Sequence, residues 1–142
     1  MEQMTRERLE AYKSMQDEIR ELKCKLQYLE EGDSMIGNST INDYRSGYPV
    51  PRAVVGVDWD KMNRLHERYM NRIAKLQKEC ELVEEYIESI DDSLTRRIFR
   101  MYYLEGMKQK TISAVVHLDR SRVSRKIDDF LKNAHKAQKA HL

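Results

Sequence analysis

Apolar residues recur at alternating steps of three and four positions in the first part of this chain. The set is Tyr12, Met15, Ile19, Leu22, Leu26 and Leu29. This spacing places all of them on one narrow stripe of an α-helix, which is typical of a coiled-coil seam. We therefore predict a coiled-coil helix within residues 1–31. Gly32 is expected to end it, because glycine readily adopts the left-handed conformation that closes many helices.

A second apolar stripe occupies residues 58–90. It consists of Met62, Leu65, Tyr69, Ile73, Leu76, Cys80, Val83, Ile87 and Ile90. Two successive steps of four, on either side of Tyr69, interrupt the regular spacing. Neither predicted helix has a second apolar face, so each must bury its stripe against a partner helix. The sequence leaves open whether the two pair within one chain or between chains, and it predicts a homo-oligomer, a dimer or larger.

Residues 32–57 separate the two stripes and hold four of the five glycines and both prolines. Proline pushes the residue before it out of the helical region. We predict a Gly/Pro-containing linker here. It either lacks fixed structure or packs Tyr44 and Tyr48 over the long helices.

Shorter apolar patterns follow Asp91 and predict three short helices at about 94–103, 108–116 and 119–133. The first would bury Leu94, Ile98, Met101 and Tyr102, with Phe99 and Tyr103 as side contacts. The other two would cross and bury Met107, Ile112, Val115, Val116, Leu118, Val123, Ile127 and Phe130. A short helix, a tight turn and a second short helix constitute a helix-turn-helix.

The chain is thus predicted to be all-α. Long antiparallel or oligomeric coiled-coil helices precede a C-terminal three-helix helix-turn-helix domain at 91–133, and a basic tail follows at 134–142. Asp119 is a suitable N-cap for the last helix, because its carboxylate can accept the free backbone N–H groups of the first turn.

Charge is divided unevenly along the chain. The whole sequence has 26 Lys/Arg and 24 Asp/Glu, a formal net charge of +2. Residues 94–142 hold 12 Lys/Arg against four acids, so their net charge is +8 and that of residues 1–93 is −6. Attraction to a polyanion is therefore expected in the C-terminal third. The acidic remainder is expected to repel DNA rather than lie along it.

The predicted helix after Asp119 presents side chains that suit a DNA major groove. The candidate DNA-contacting residues are Gln109, Lys110, Arg120, Ser121, Arg122, Ser124, Arg125 and Lys126. Arginine pairs well with guanine edges, whereas Gln109 and Lys110 are expected to touch phosphate. Asp119 either caps the helix only or also accepts a hydrogen bond from cytosine. The alternative interpretation is a helical bundle with a solvated basic face.

Other kinds of chemistry are not indicated. No apolar run approaches the ~18 residues needed to span a bilayer, and the N-terminal residues lack the apolar core of a signal peptide. We therefore expect a cytoplasmic protein without a membrane partner. The four histidines and two cysteines show no metal-site or catalytic-triad spacing. No metal, cofactor or catalytic residue is predicted, and Tyr102 is expected in the core rather than as a nucleophile.

Three motifs within residues 91–132 resemble region four of bacterial sigma factors. They are Tyr103-Leu104-Glu105-Gly106-Met107, Ile112-Ser113-Ala114-Val115-Val116 and Asp119-Arg120-Ser121-Arg122-Val123. The full layout, with two coiled helices around a Gly/Pro segment, resembles the RinA/ArpU-like phage transcriptional regulators. The region that holds these motifs, residues 91–132, covers roughly a third of the chain. The resemblance implies a DNA-binding regulator of a phage or prophage that activates late genes.

Two positions depart from the sigma-like pattern. His117 stands where the turn usually has glycine, and Ser113 stands where alanine is usual. A left-handed backbone is uncommon for a non-glycine residue, although histidine is among those that adopt it more often. The chain has no counterpart of the sigma region that melts a promoter, so we do not expect it to act as a complete sigma factor.

The leading functional hypothesis is a sequence-specific regulator of transcription that binds double-stranded DNA through 119–126. A phage DNA-packaging subunit of the small-terminase type is the alternative, and a subunit count would separate the two because packaging subunits form rings. A third hypothesis is a coiled-coil adaptor whose basic face contacts an acidic protein. The DNA target, and whether RNA polymerase is contacted, are left open by the sequence.

Overall fold

The computed structural model describes the backbone of residues 3–39 and 58–140, and the side chains of 3–30 and 58–137. These residues form helices α1 (Arg6–Glu10), α2 (Tyr12–Ser39), α3 (Trp59–Glu88), α4 (Ser93–Phe99), α5 (Gln109–Val116) and α6 (Arg120–Ala140), with a π-helical turn at Arg100–Leu104. No strand occurs in the described ranges, and the all-α class is confirmed. The predictions about Tyr44 and Tyr48 lie outside the described residues.

The first long helix differs from its prediction at both ends. The side chain of Thr5 caps α1 by accepting a hydrogen bond from the N–H of Arg8 at 3.2 Å, and a separate helix begins at Tyr12. At its other end α2 continues through Gly32 to Ser39, contrary to the prediction that Gly32 ends it. A glycine inside a helix costs only about 1 kcal/mol relative to alanine, so it permits a helix end without enforcing one.

The chain divides into two compact units. Unit one comprises Met1–Gln16 and Gln77–Leu142, and unit two comprises Asp17–Leu76. Unit one extends beyond the predicted domain at 91–133, because it also includes the N-terminal helix and the last turns of α3.

In unit two, α2 and α3 run antiparallel within one chain. The Nζ of Lys25 lies 5.9 Å from the ring centroid of Tyr69, and Nε2 of His66 lies 3.5 Å from a carboxylate oxygen of Glu30. Rising residue numbers on α2 therefore meet falling numbers on α3. The buried side chains of this unit include Ile19, Leu22, Leu26 and Ile73. All four belong to the predicted apolar stripes.

Unit one has a core shared by most of its helices. Its fully buried side chains include Leu9, Val83, Ile87, Ile98, Phe99, Ile112, Val123 and Ile127. The rings of Phe99 and Phe130 meet edge to face with centroids 5.1 Å apart. Phe130 also meets Tyr86 edge to face at 6.4 Å. These aromatic contacts tie α6 to both α4 and α3.

The segment after Asp92 begins as an α-helix and then changes its winding. The Asp92 carboxylate accepts a hydrogen bond from the N–H of Thr95 at 3.0 Å and another from its hydroxyl at 2.6 Å. In the π-helical turn that follows α4, the N–H of Glu105 donates to the carbonyl of Arg100, five residues earlier, at 3.0 Å. Gly106 then adopts a φ of 69°, a left-handed conformation that ends the turn.

This change of winding alters which aromatic residues are buried. Phe99 is fully buried and Tyr103 is 3% exposed, whereas Leu94 and Tyr102 are only half-buried. The prediction that Leu94 and Tyr102 belong to the buried face, with Phe99 and Tyr103 at its side, is therefore wrong. A π-turn inserts an extra residue per turn, which rotates Tyr103 inward in place of Tyr102, and Leu94 lies in the first turn of α4.

Val115 also departs from the predicted core, because 44% of its surface is exposed. Ile112 on the same helix is fully buried. Val115 lies about 60° to one side of Ile112 around the helix axis, and Val116 about 40° to the other side. Val116 is half-buried, so the core covers one flank of α5 and leaves the other to solvent. The remaining residues predicted to be buried here are half-buried: Met107, Leu118 and Phe130.

Candidate nucleic-acid interface

A left-handed turn joins α5 to α6. His117 has φ 58° and ψ 41° and is the one non-glycine residue with positive φ in the described ranges. Its N–H donates to the carbonyl of Ser113, and so does the N–H of Leu118, at 3.1 Å. These hydrogen bonds end α5 with a left-handed residue, a position that is usually glycine. The left-handed backbone expected at His117 is confirmed, and a non-glycine residue there costs about 1–2 kcal/mol.

Asp119 occupies the position immediately before α6. Its backbone carbonyl accepts hydrogen bonds from the N–H groups of Arg122 at 3.0 Å and Val123 at 3.1 Å. These are the first bonds of the helix. The turn from His117 to Asp119 is therefore short and hydrogen-bonded at both ends, which fixes where α6 begins.

Most of the candidate side chains on α6 face solvent. Arg120, Ser121, Arg122 and Arg125 are exposed, and Ser124 and Lys126 are half-buried. At about 100° per residue, Ser121 and Arg125 point away from the buried Val123, and Arg122 lies to one side of them. The core therefore holds one face of α6 and presents the opposite face, with two arginines and a serine, outward.

Lys126 differs from the other candidates because it lies near an acidic residue of its own unit. The pKa of Asp92 is lowered, first by the hydrogen bonds from Thr95 and then by the positive charges of Lys126 and Arg96. Lys126 is thus placed close to the N-terminus of α4. Part of its charge is offset inside unit one.

The outward face of α6 changes character after its second turn. Asp128 and Asp129 follow Arg125 on the exposed side. A guanidinium nitrogen of Arg6 lies 2.6 Å from the Asp128 carboxylate, and Asp128 raises the pKa of that guanidinium. The arginines of the face are therefore confined to the first two turns of the helix, and beyond Asp129 the exposed cations are Lys132 and Lys136.

Gln109 and Lys110 begin α5, the other helix predicted to approach DNA. Lys110 is exposed and Gln109 is half-buried. The hydroxyl of Ser113 donates to the carbonyl of Lys110 at 2.6 Å. Ser113 therefore satisfies its own hydroxyl within the helix. That the small Ser113 side chain permits close contact between the two helices stays a prediction.

The sequence interpretation missed the N-terminal segment, which contacts the C-terminal half of α6. Besides the Arg6–Asp128 ion pair, the side-chain amide nitrogen of Gln3 lies 3.0 Å from Nδ1 of His135. Leu9 is fully buried in the same unit. One signal was available: Leu9, Tyr12 and Met15 are separated by two successive steps of three, which breaks the stripe where α1 ends.

Among the described residues, no group of three or more His, Cys, Asp and Glu lies close enough to hold a metal ion. Burial raises the pKa of the Cys80 thiol, which disfavours the reactive thiolate, and Cys24 is exposed. None of the described helices is sufficiently long and apolar to cross a membrane.

Comparison of the chain with protein-family models, with curated proteins and with solved structures gave no match.

Proposed function

We propose that this protein binds double-stranded DNA in a sequence-specific manner, with α5 and α6 acting as a helix-turn-helix. One observation carries the proposal. The exposed side chains Arg120, Ser121, Arg122 and Arg125 project from the first turns of a helix whose other face is fully buried. A helix held this way can enter the major groove with its N-terminal turns first.

The candidate residues have different proposed roles. Arg122 and Arg125 are best placed to reach guanine edges, since arginine forms two parallel hydrogen bonds with guanine O6 and N7. Arg120, Lys110 and Gln109 are proposed to bind phosphate, which sets affinity and orientation. Lys126 would contribute less to DNA affinity than a cation without an acidic neighbour, because the charge of Asp92 offsets part of its own.

The regulatory part of the proposal depends on the sigma-like motifs. We propose a transcriptional regulator of the phage type that activates late genes, as the RinA/ArpU-like resemblance implies. RNA polymerase is the further partner to examine if promoter DNA is bound.

Self-association belongs to the same proposal. One helix-turn-helix makes few base contacts, and usable specificity comes from two copies held about 34 Å apart. Unit two exposes large apolar side chains that could meet a second copy, namely Tyr28 at 76%, Trp59 at 51% and Met70 at 49%. We propose a homodimer formed through this unit.

The test is a selection of bound sequences from random duplex DNA, followed by affinity measurements with an Arg120→Ala/Arg122→Ala/Arg125→Ala variant. Removing a base-reading side chain should cost about 1–3 kcal/mol of specific binding. Arg97→Ala is the control, because Arg97 is an exposed cation on a different helix, α4. A folded triple variant that binds the selected site as tightly as the parent would overturn the assignment of α6.

Light scattering on the same protein separates the two DNA-binding hypotheses. A dimer agrees with the regulator. A ring of eight or more subunits would favour the DNA-packaging alternative, and a 17.0 kDa monomer that retains specificity would exclude the proposed dimer.

A further inference from the structure

A second basic face lies on the first half of α3, in unit two. Its residues are Lys61, Arg64, Arg68, Arg72 and Lys75, and all of them are exposed. At about 100° per residue, these side chains fall within an arc of about 80° around the helix axis. Their intervals of three and four residues extend the row over about 21 Å. We call this row the α3 basic face.

The described side chains of unit two (17–30 and 58–76) form no ion pair with the α3 basic face. The ion pairs described in this unit are Arg20 with Asp17 and His66 with Glu30. Within the described side chains, none of the five cations has an ion-pair partner. Asp60 and Glu67 border the face on the same helix without pairing to it. Five unpaired cations in one row produce a positive potential that favours a polyanion.

The second half of α3 in another copy of the chain offers few acids to meet this face. The second half of α3 is acidic, but its carboxylates have partners in unit one. Glu79 lies 2.6 Å from Arg8, Glu88 lies 3.0 Å from Arg100, and Glu84 accepts a hydrogen bond from the hydroxyl of Tyr12. In the described part of α3 beyond Leu76, this leaves Glu81 and Glu85 without a described partner. Two carboxylates are too few to balance the five cations of the α3 basic face. The face therefore suits an external polyanion better than the second half of α3 from another copy.

We propose that the α3 basic face binds the sugar-phosphate backbone of a nucleic-acid duplex without reading its sequence. Each strand of a duplex carries one phosphate per about 3.4 Å of axis, so about 21 Å of duplex holds about six phosphates of each strand, and those on the side turned toward α3 can contact the row. Three of the five cations are arginines, whose planar guanidinium donates two parallel hydrogen bonds to phosphate. The proposal does not depend on the role of α6.

Two of the apolar side chains proposed for self-association, Trp59 and Met70, lie on the other side of α3. Trp59 is about 180° and Met70 about 200° from Arg68 around the helix axis. A dimer formed through Trp59 and Met70 would leave the α3 basic face accessible. Both interactions can therefore occur in one assembly.

The test uses the full chain with Arg64→Gln, Arg68→Gln and Arg72→Gln combined. Glutamine removes the charge and keeps a similar helix propensity. The control combines Lys23→Gln, Lys78→Gln and Arg97→Gln, which removes three exposed cations that lie on neither basic face. Circular dichroism verifies that both variants fold. Binding is measured by fluorescence anisotropy over a series of salt concentrations, with a DNA duplex and an RNA duplex of random sequence.

The slope of log affinity against log salt should fall by about 2.7 in the face variant, which is about 0.9 for each phosphate that is no longer neutralised. Affinity at 0.1 M salt should fall about tenfold or more for DNA, RNA or both. The control should change the slope by less than one unit. Equal slopes for the face variant and the control would overturn the proposal.

Two further outcomes would also overturn it. Anionic lipid vesicles that bind the parent more tightly than either duplex, with the same dependence on the three arginines, would assign the face to a membrane. A change in oligomer mass in the face variant would assign it to an interface between copies.

The failure of this proposal can be distinguished from failure of the α6 assignment. In the Arg120/Arg122/Arg125 alanine background, preference for the selected site should be lost while binding to random duplex remains and still depends on the α3 basic face.

Discussion

The basic faces of α6 and α3 contain similar residues but are supported differently. On α6, the exposed arginines are confined to the first two turns, after a left-handed turn and above a fully buried core. On α3, the cations extend along one long helix and no acid lies within the row. A short, rigidly held group of side chains suits base edges, whereas an extended row suits a phosphate backbone. The packing beneath a basic face therefore indicates which part of a nucleic acid the face suits as much as its charge does.

The largest expected effect comes from removing the support beneath α6. Phe99→Ala removes a fully buried ring that contacts Tyr103 and Phe130. Such a change typically costs about 3–5 kcal/mol. The free energy of unfolding should fall by this amount in urea titrations, and binding to the selected site should be lost while binding to random duplex through α3 remains.

Val115→Ala is the matched control, because Val115 is 44% exposed and its truncation should change stability by no more than about 0.5 kcal/mol. If Phe99→Ala weakened selected-site and random-duplex binding to the same extent, the claim that only the α6 face depends on this core would be contradicted.

A smaller effect is expected at Tyr103, where the core contains an unsatisfied group. Its hydroxyl is buried and has no hydrogen-bond partner among the described residues. An unsatisfied buried polar group costs about 1–3 kcal/mol, so Tyr103→Phe should stabilise unit one by about 1 kcal/mol. Tyr28→Phe is the control, since Tyr28 is exposed. Destabilisation by Tyr103→Phe would indicate that the hydroxyl makes a necessary contact.

The same substitution should change the dependence of stability on alkaline pH. Burial raises the pKa of Tyr103 to about 12 from its ordinary value of 10.0. Below pH 10 the Tyr103 hydroxyl is protonated in both the folded and the unfolded state, so its contribution to the free energy of unfolding is fully present. As the pH rises from 10 to 12, only the unfolded state loses its proton, so the free energy of unfolding falls by up to about 1.4 kcal/mol per pH unit. The Tyr103→Phe variant should lose this part of the decline.

The smallest effect is expected at the turn that sets the start of α6. His117 has a left-handed backbone, and His117→Gly should relieve strain of about 1 kcal/mol. Part of this gain is offset because glycine has more freedom in the unfolded chain. The melting temperature should rise slightly and selected-site affinity should be unchanged. A clearly lower melting temperature would show that the imidazole stabilises the turn.

The sequence predicts those features that follow from local periodicity and local stereochemistry. Spacing alone assigns Ile19, Leu22 and Leu26 to a buried stripe, and the left-handed turn at His117 follows from the sigma-like motif. Ile112, Val123 and Ile127 are likewise expected in the core. In each case a short sequence pattern determines either which side of a helix faces inward or where the helix ends.

Features set by long-range packing or by small energy differences are not predicted. The helix end at Gly32 depends on about 1 kcal/mol, and the π-turn reverses the burial of Tyr102 and Tyr103 without a change in composition. The burial of Leu9 in unit one depends on residues far along the chain. The α3 basic face is present in the sequence, but the net charge of −6 over residues 1–93 conceals it.

The composition of unit one has a consequence for the order of events during synthesis. Leu9 belongs to a unit whose other members include Ile98 and Ile127, near the opposite end of the chain. At about 5–20 residues per second, more than a hundred residues, or roughly 6–24 s of translation, separate the emergence of Leu9 from that of its last core neighbours. Unit two is synthesised within this interval and can form first. Helix α1 is made before the rest of unit one, and it is therefore expected to be among the last elements of that unit to reach its final packing.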